Sequence, residues 1–273
     1  MRLQRKSTIA YMFRNFWQLV YVVLPVSALL AIFYNPATEV SLYISLFKGE
    51  VALDNYLQLL TDNLTVLRLG KYWWVTLIAI VLLVLTMCLL VVKISKHMRV
   101  GKMPALPFKQ AFGIFPQMLL YVVACIAVNE VGMLIVVGVS FLIRFIGDAT
   151  AIVSITLVLT FVMRVFLAYM FGLLLVTFPL RYSENYRFNV AMSYSARIMS
   201  VNRGKLVGLS MLYVCSRLLV ATIGYFLQPY GPHLLVYAIA FIMLLMYVPS
   251  FAFKKFYDDV GGERRDLIRK IFD

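Results

Sequence analysis

Six stretches of roughly 20 mostly apolar residues limit what this chain can fold into more than any other feature. A backbone in hydrocarbon must satisfy its own polar groups, so each stretch predicts a membrane-spanning helix. The predicted spans are about 16–34, 72–92, 114–137, 149–180, 206–227 and 234–253. Composition supports the pattern: 63% of residues are hydrophobic, 14% are charged, and the mean hydropathy is +0.88. That surface cannot coat a soluble globule, and it excludes a disordered chain or a disulfide scaffold. The expected fold class is all-α: a single polytopic membrane domain over 1–273, with six transmembrane helices and interfacial amphipathic helices.

The first span follows Arg2, Arg5, Lys6 and Arg14. It is too long for a cleavable signal and is expected to be a retained signal anchor. The second opens on Tyr72-Trp73-Trp74, an interfacial aromatic anchor. The fourth run would extend about 48 Å if continuous, so it must tilt, bend near Gly172 or project beyond the membrane. Residues 138–148 either extend the third helix or form a re-entrant piece. Between the last two spans, Pro229, Gly231 and Pro232 mark a tight turn.

Basic residues set the expected orientation. The first fifteen residues and segments 93–113, 181–205 and 254–273 hold 20 of the 26 Lys and Arg, and the opposite side holds Lys48, Arg68, Lys71 and Arg144. The asymmetry predicts a multi-pass cell-membrane protein with both termini cytoplasmic. Topology therefore accounts for the net charge of +14 without nucleic acid.

Several segments between the spans carry patterns of their own. The outer segment 35–71 has apolar residues three and four apart from Val40 onward, which predicts amphipathic helix in two pieces broken at Gly49. Such pieces would lie at the interface or cap the bundle, in preference to forming a substrate lid. The first basic loop contributes Lys96, Arg99 and Lys102, candidates for contact with anionic headgroups. Its Gly101-Lys102 is not a nucleotide-binding loop, because the upstream Gly and downstream Ser/Thr are missing.

The second basic segment, 183–205, predicts an amphipathic helix N-capped by Ser183, with Tyr186, Val190, Tyr194 and Ile198 at four-residue spacing. Arg197, Asn202, Arg203 and Lys205 are its candidate headgroup or partner contacts. The pattern Ser195-Ala-Arg197-Ile-Met199, then Asn202-Arg203-Gly204-Lys205 before a span, resembles uncharacterised bacterial six-helix membrane proteins. These are related to the membrane domain found beside some glycerophosphodiester phosphodiesterases. The resemblance covers about 183–253 and implies fold more than activity, since the phosphodiesterase domain itself is absent. The tail after Gly261-Gly262 predicts a further interfacial helix.

Charges inside spans are costly and are functional candidates by default. Glu130, with Asn129 beside it, falls in the third span, Arg164 in the fourth and Arg217 in the fifth. Pairing of Arg164 with Glu130 is the expected neutralisation, leaving Arg217 without an acid and available to an anion such as a lipid phosphate. Arg144 and Asp148, four apart, form an expected local ion pair.

Cys88, Cys125 and Cys215 sit in apolar runs, and His97 and His233 stand outside any ligand-spaced motif, so no metal or cofactor is expected. There is no HExxH, no G-x-S-x-G and no acidic cluster, and the chain is not expected to be an enzyme. The expected function is binding, sensing or handling an anionic lipid or small anion, or scaffolding an envelope complex. The partners would be anionic headgroups of the cytoplasmic leaflet. The alternative is a permease subunit of an ATP-driven exporter, working with a separate ATPase or other membrane subunits.

Overall fold

A computed structural model describes residues 7–33, 37–48, 60–61, 64, 73–143, 145, 149–201 and 203–260. The described residues are helical and contain no strand. In chain order the helices are α1 (Thr8–Arg14), α2 (Phe16–Phe33), α3 (Ala37–Phe47), α4 (Trp73–Val100), α5 (Phe108–Ile143) and α6 (Ala149–Leu173). There follow α7 (Thr177–Glu184), α8 (Phe188–Ser200), α9 (Arg203–Leu227) and α10 (His233–Val260), with a 3₁₀ turn at Gln228–Tyr230 between the last two. Six of these segments are long and apolar enough to cross a membrane. Their outward surfaces carry large apolar side chains such as Leu77, Leu120, Val162, Leu212 and Leu235. That is the surface a lipid solvent requires.

Neighbouring helices close a ring in the order α4, α5, α6, α9, α10 and back to α4, with α2 packed against α10 and α4. The main core lies among α2, α4 and α10 around Leu19, Val84, Leu90, Met246 and Phe253. A second core joins Leu42 of α3, together with Leu60 and Leu64, to Val136 and Val137 of α5 and Ile152 and Val153 of α6.

The helices overrun the spans read from the sequence. α4 continues to Val100, so Lys93, Lys96 and Arg99 are helical rather than loop residues. α5 reaches Ile143, which makes 138–143 a helical extension, and at 36 residues it is about 54 Å long. The fourth apolar run breaks at 174–176, just beyond Gly172. Pro179 fixes the place, because it cannot donate to the carbonyl four residues upstream and is tolerated in the first turn of a new helix. Ser195 of α8 stitches the break: its Oγ donates to the Leu173 carbonyl at 2.8 Å and accepts from the Val176 amide at 3.0 Å.

Ser183 is not an N-cap. It lies inside α7, its Oγ 3.4 Å from Ser95 Oγ, and α8 begins at Phe188 after Asn185, which adopts a left-handed φ of 55°. Arg181 holds that turn, donating to the Tyr186 carbonyl at 2.8 Å, the Asn185 Oδ1 at 3.2 Å and Gln117 Oε1 at 3.0 Å.

Four basic segments meet at one end of the bundle. The Tyr11 hydroxyl lies 2.9 Å from His97 Nδ1, and burial, with Tyr257 nearby, holds the Tyr11 phenol above its ordinary value. Met12, Ile94, Ile198 and Phe256 share one core there. We call this the basic end.

At the opposite end α9 and α10 approach closely. A Cβ on Gly224 would overlap the hydroxyl and ring of Tyr237, which is fully buried. Gly224→Ala should therefore lower thermal stability by about 1–3 kcal/mol through overpacking. Gly208→Ala, on the same helix with nothing within 4 Å, should be neutral or stabilising. Paired unfolding curves in detergent check both; equal midpoints for the two variants would contradict the packing argument.

Candidate functional site

The deepest polar cluster joins three helices. Arg164 and Arg217 lie in the middle thirds of α6 and α9, and Glu39 lies in the first turn of α3. Arg164 Nε and Nη2 donate to the two carboxylate oxygens of Glu39 at 3.0 and 2.9 Å, a bidentate fork. Arg217 Nη2 adds a third contact to Glu39 Oε2 at 2.7 Å. The Glu39 side chain is 3% exposed, against 11% for Arg164 and 16% for Arg217. Tyr43, one turn further along α3, is hydrogen-bonded to Thr160 of α6.

This arrangement corrects the charge assignment made from sequence. The carboxylate that pairs with Arg164 is Glu39, and the same carboxylate gives Arg217 an acidic partner. Glu130 is buried on α5, where it accepts from Asn129 Nδ2 at 3.3 Å. Glu39 was assigned to the outer segment, but the apolar stretch of the first span continues through α3 to Ser45. The signal was present: residues 37–47 carry a single charge, and the spans needed one more acid. α3 is also not a detached interfacial helix. It packs against α6 and α9 with Glu39 and Leu42 buried.

Chemically the cluster is a fastener. Guanidinium groups do not exchange protons near neutrality, the carboxylate is enclosed by them, and no group of metal-ligating side chains occurs among the described residues.

The basic end holds a different set. Lys93 is 1% exposed, yet its partners are neutral: Nζ donates to the Ala105 carbonyl at 2.6 Å and to the Tyr21 hydroxyl, and lies 4.3 Å above the Tyr21 ring. Tyr21 in turn donates to the same Ala105 carbonyl, so α2, α4 and the 101–107 connection meet at one point. Lys96 is half-buried, Lys102 is exposed, and Arg99 lies near Tyr182. Lys96 lines a cleft of about 410 Å³ with Pro104–Gln110.

On α8, Ala191, Ser195, Ile198 and Met199 face the bundle, while Asn189, Val190, Ser193, Tyr194 and Arg197 face outward, with the exposed Tyr186 just before the helix. The Tyr186 and Tyr194 rings stack at 5.4 Å. Arg203 and Lys205 are exposed in the first turn of α9. Asn202, the Arg144–Asp148 pair, the outer segment beyond Lys48 apart from 60–61 and 64, and the tail beyond 260 lie outside the described residues.

Glu39→Gln keeps the shape and leaves two partly buried guanidinium groups without their carboxylate. The expected loss is about 3–5 kcal/mol, read as a lowered unfolding midpoint. Replacing all three ions by Leu or Met should restore much of it, because the desolvation cost disappears with the charges. An unchanged midpoint for Glu39→Gln alone would show that the cluster does not fasten α3.

Comparison of the chain with protein-family models, characterised proteins and solved structures finds no match.

Proposed function

We propose that this is a non-enzymatic cell-membrane protein, both termini in the cytoplasm, that binds and handles anionic lipid at the cytoplasmic leaflet. The observation that carries the reading is the outward face of α8. Tyr186 just before α8, and Val190 and Tyr194 on it, are exposed beside Asn189, Ser193 and Arg197, so aromatic and apolar side chains interleave with polar and basic ones on that face. Exposed Arg187, Arg197, Arg203 and Lys205 border them. Aromatic rings flanked by cations suit the headgroup level of a bilayer, and each cation near an anionic surface contributes about 1 kcal/mol. Since Glu39 partners both intramembrane arginines, lipid recognition is placed at the basic end rather than at Arg164, Arg217, Glu130 and Asn129.

The positive-inside bias supports the orientation: the loop with Lys102 and the segment with Arg197 sit with both termini on the cytoplasmic side. In a variant lacking the native cysteines, a cysteine at position 102 should react with an impermeant thiol reagent only when the inner face is open. Labelling from outside would reverse the orientation.

Lipid handling is tested in bilayer discs of neutral lipid doped with phosphatidylglycerol. Mass spectrometry of the lipid retained after partial delipidation should show enrichment of the anionic species. The triple variant Arg197→Gln, Arg203→Gln, Lys205→Gln should reduce that enrichment by roughly fivefold for each charge removed. Unaltered enrichment, or none in the wild type, rejects the reading.

A permease role remains the second reading because α8 projects from the basic end between the fourth and fifth spans, where a separate ATPase would dock. An ATPase that co-purifies with the wild type and is lost in Tyr194→Ala would favour it.

A further inference from the structure

The cleft between the end of α4 and the start of α5 has no role in the cluster around Glu39, and α8 does not line it. Its walls are Lys96 from α4, the turn through Pro104 and Pro107, and Phe108, Lys109 and Gln110 from the first turn of α5. Among the described residues, neither Lys96 nor Lys109 takes part in a hydrogen bond or ion pair, and no acidic residue lines the cleft. Two lysines thus line one recess with no acidic side chain among the described residues beside them.

The recess is also preformed. Its connection is seven residues long, from 101 to 107, and contains two prolines. The buried Lys93 and the exposed Tyr21 both donate to the Ala105 carbonyl in that connection. Lys93 spends its donors on that clasp, while Lys96, three residues on, keeps its own free. The α5 amides of Phe108 and Ala111 are bonded to Leu106 and Pro107, and those of Lys109 and Gln110 are left over in the same wall. Leu106 and Phe108 supply apolar surface beside the charges.

We propose that this cleft binds a phosphate group carried on a larger organic body, held by Lys96 and Lys109. Two ammonium groups match the charge of a phosphate ester, and rigid walls reduce the entropy lost when it binds. The shared chemistry has two sources, a phospholipid headgroup entering from the leaflet or a soluble phosphate. The volume and the apolar walls favour the headgroup. The proposal rests on the lipid reading above but uses residues distinct from α8.

Full-length protein in discs of neutral lipid is titrated with short-chain phosphatidic acid in one arm and with inorganic phosphate in the other, and bound species are counted by native mass spectrometry. One tightly retained phosphatidic acid per chain is expected, with affinity reduced tenfold or more in Lys96→Gln, Lys109→Gln. Gln228→Ala, in the 3₁₀ turn at the opposite end of the bundle, should bind as the wild type. Matching unfolding midpoints in neutral lipid separate lost binding from lost fold, and single variants Lys96→Gln and Lys109→Gln serve if the double variant is unstable.

Saturation by inorganic phosphate at equal concentration would keep the site and assign it to the soluble source. Retention of phosphatidic acid in every cleft variant overturns the proposal. If that retention is instead lost in the α8 triple variant, the cleft fails while the lipid reading stands; if the wild type retains no anionic lipid, both fail.

Discussion

A charge in hydrocarbon must be neutralised where it sits, and the contact of Glu39 with Arg164 and Arg217 meets that requirement for three helices at once. One carboxylate accepts three charge-assisted hydrogen bonds, two from α6 and one from α9. No apolar contact could determine the position of α3 so narrowly, because apolar packing tolerates sliding and a bidentate fork does not. The placement of Leu42 against Leu60, Leu64 and the ends of α5 and α6 follows from that anchor. The cluster also explains why a short helix can leave the first span and remain among the others. Its single charge meets two of opposite sign instead of lipid.

The six long apolar helices are legible because a helix able to cross a bilayer is held to one length and one composition. Legibility fell where tertiary contacts set the outcome. The rule that isolates apolar runs ended the first span before Pro36, and so placed Glu39 in an outer loop. A carboxylate next to a span looks the same in sequence whether it faces water or two arginines. The break at 174–176 was displaced from Gly172 for a similar reason. The run Leu174-Leu175-Val176 contains no breaker, and the cause lies downstream at Pro179 and across the bundle at Ser195. Ser183 had the local form of a cap, but the helix before it ran through it.

At the basic side α4, α5, α9 and α10 extend past their apolar runs. Apolarity stops at Val92, while α4 continues to Val100, since a helix keeps its hydrogen bonds after its side chains turn polar. Lys93, Lys96 and Arg99 therefore occupy fixed positions on a helix surface. Spacing alone shows that 93 and 96 are near neighbours, yet not that one faces Tyr21 inside and the other a cleft outside.

That divergence gives the basic end its chemical character. Lys93 and Lys96 share a helix, a charge and an end of the bundle, and differ in what meets them. Lys93 is enclosed, and neutral acceptors take its donors, so its charge organises the chain without being available to a ligand. The enclosure of Lys93 fixes the connection whose other face forms the cleft beside Lys96. A positive-inside bias alone would leave both lysines as mobile surface charges with diffuse attraction for an anionic leaflet. Converting one into a buried brace lets the other act from a fixed position, and fixed cations can distinguish a single bound headgroup from the average field of the membrane. The same division recurs across the bundle, where Arg164 and Arg217 brace α3 while Arg197 of α8 and Arg203 of α9 stay exposed.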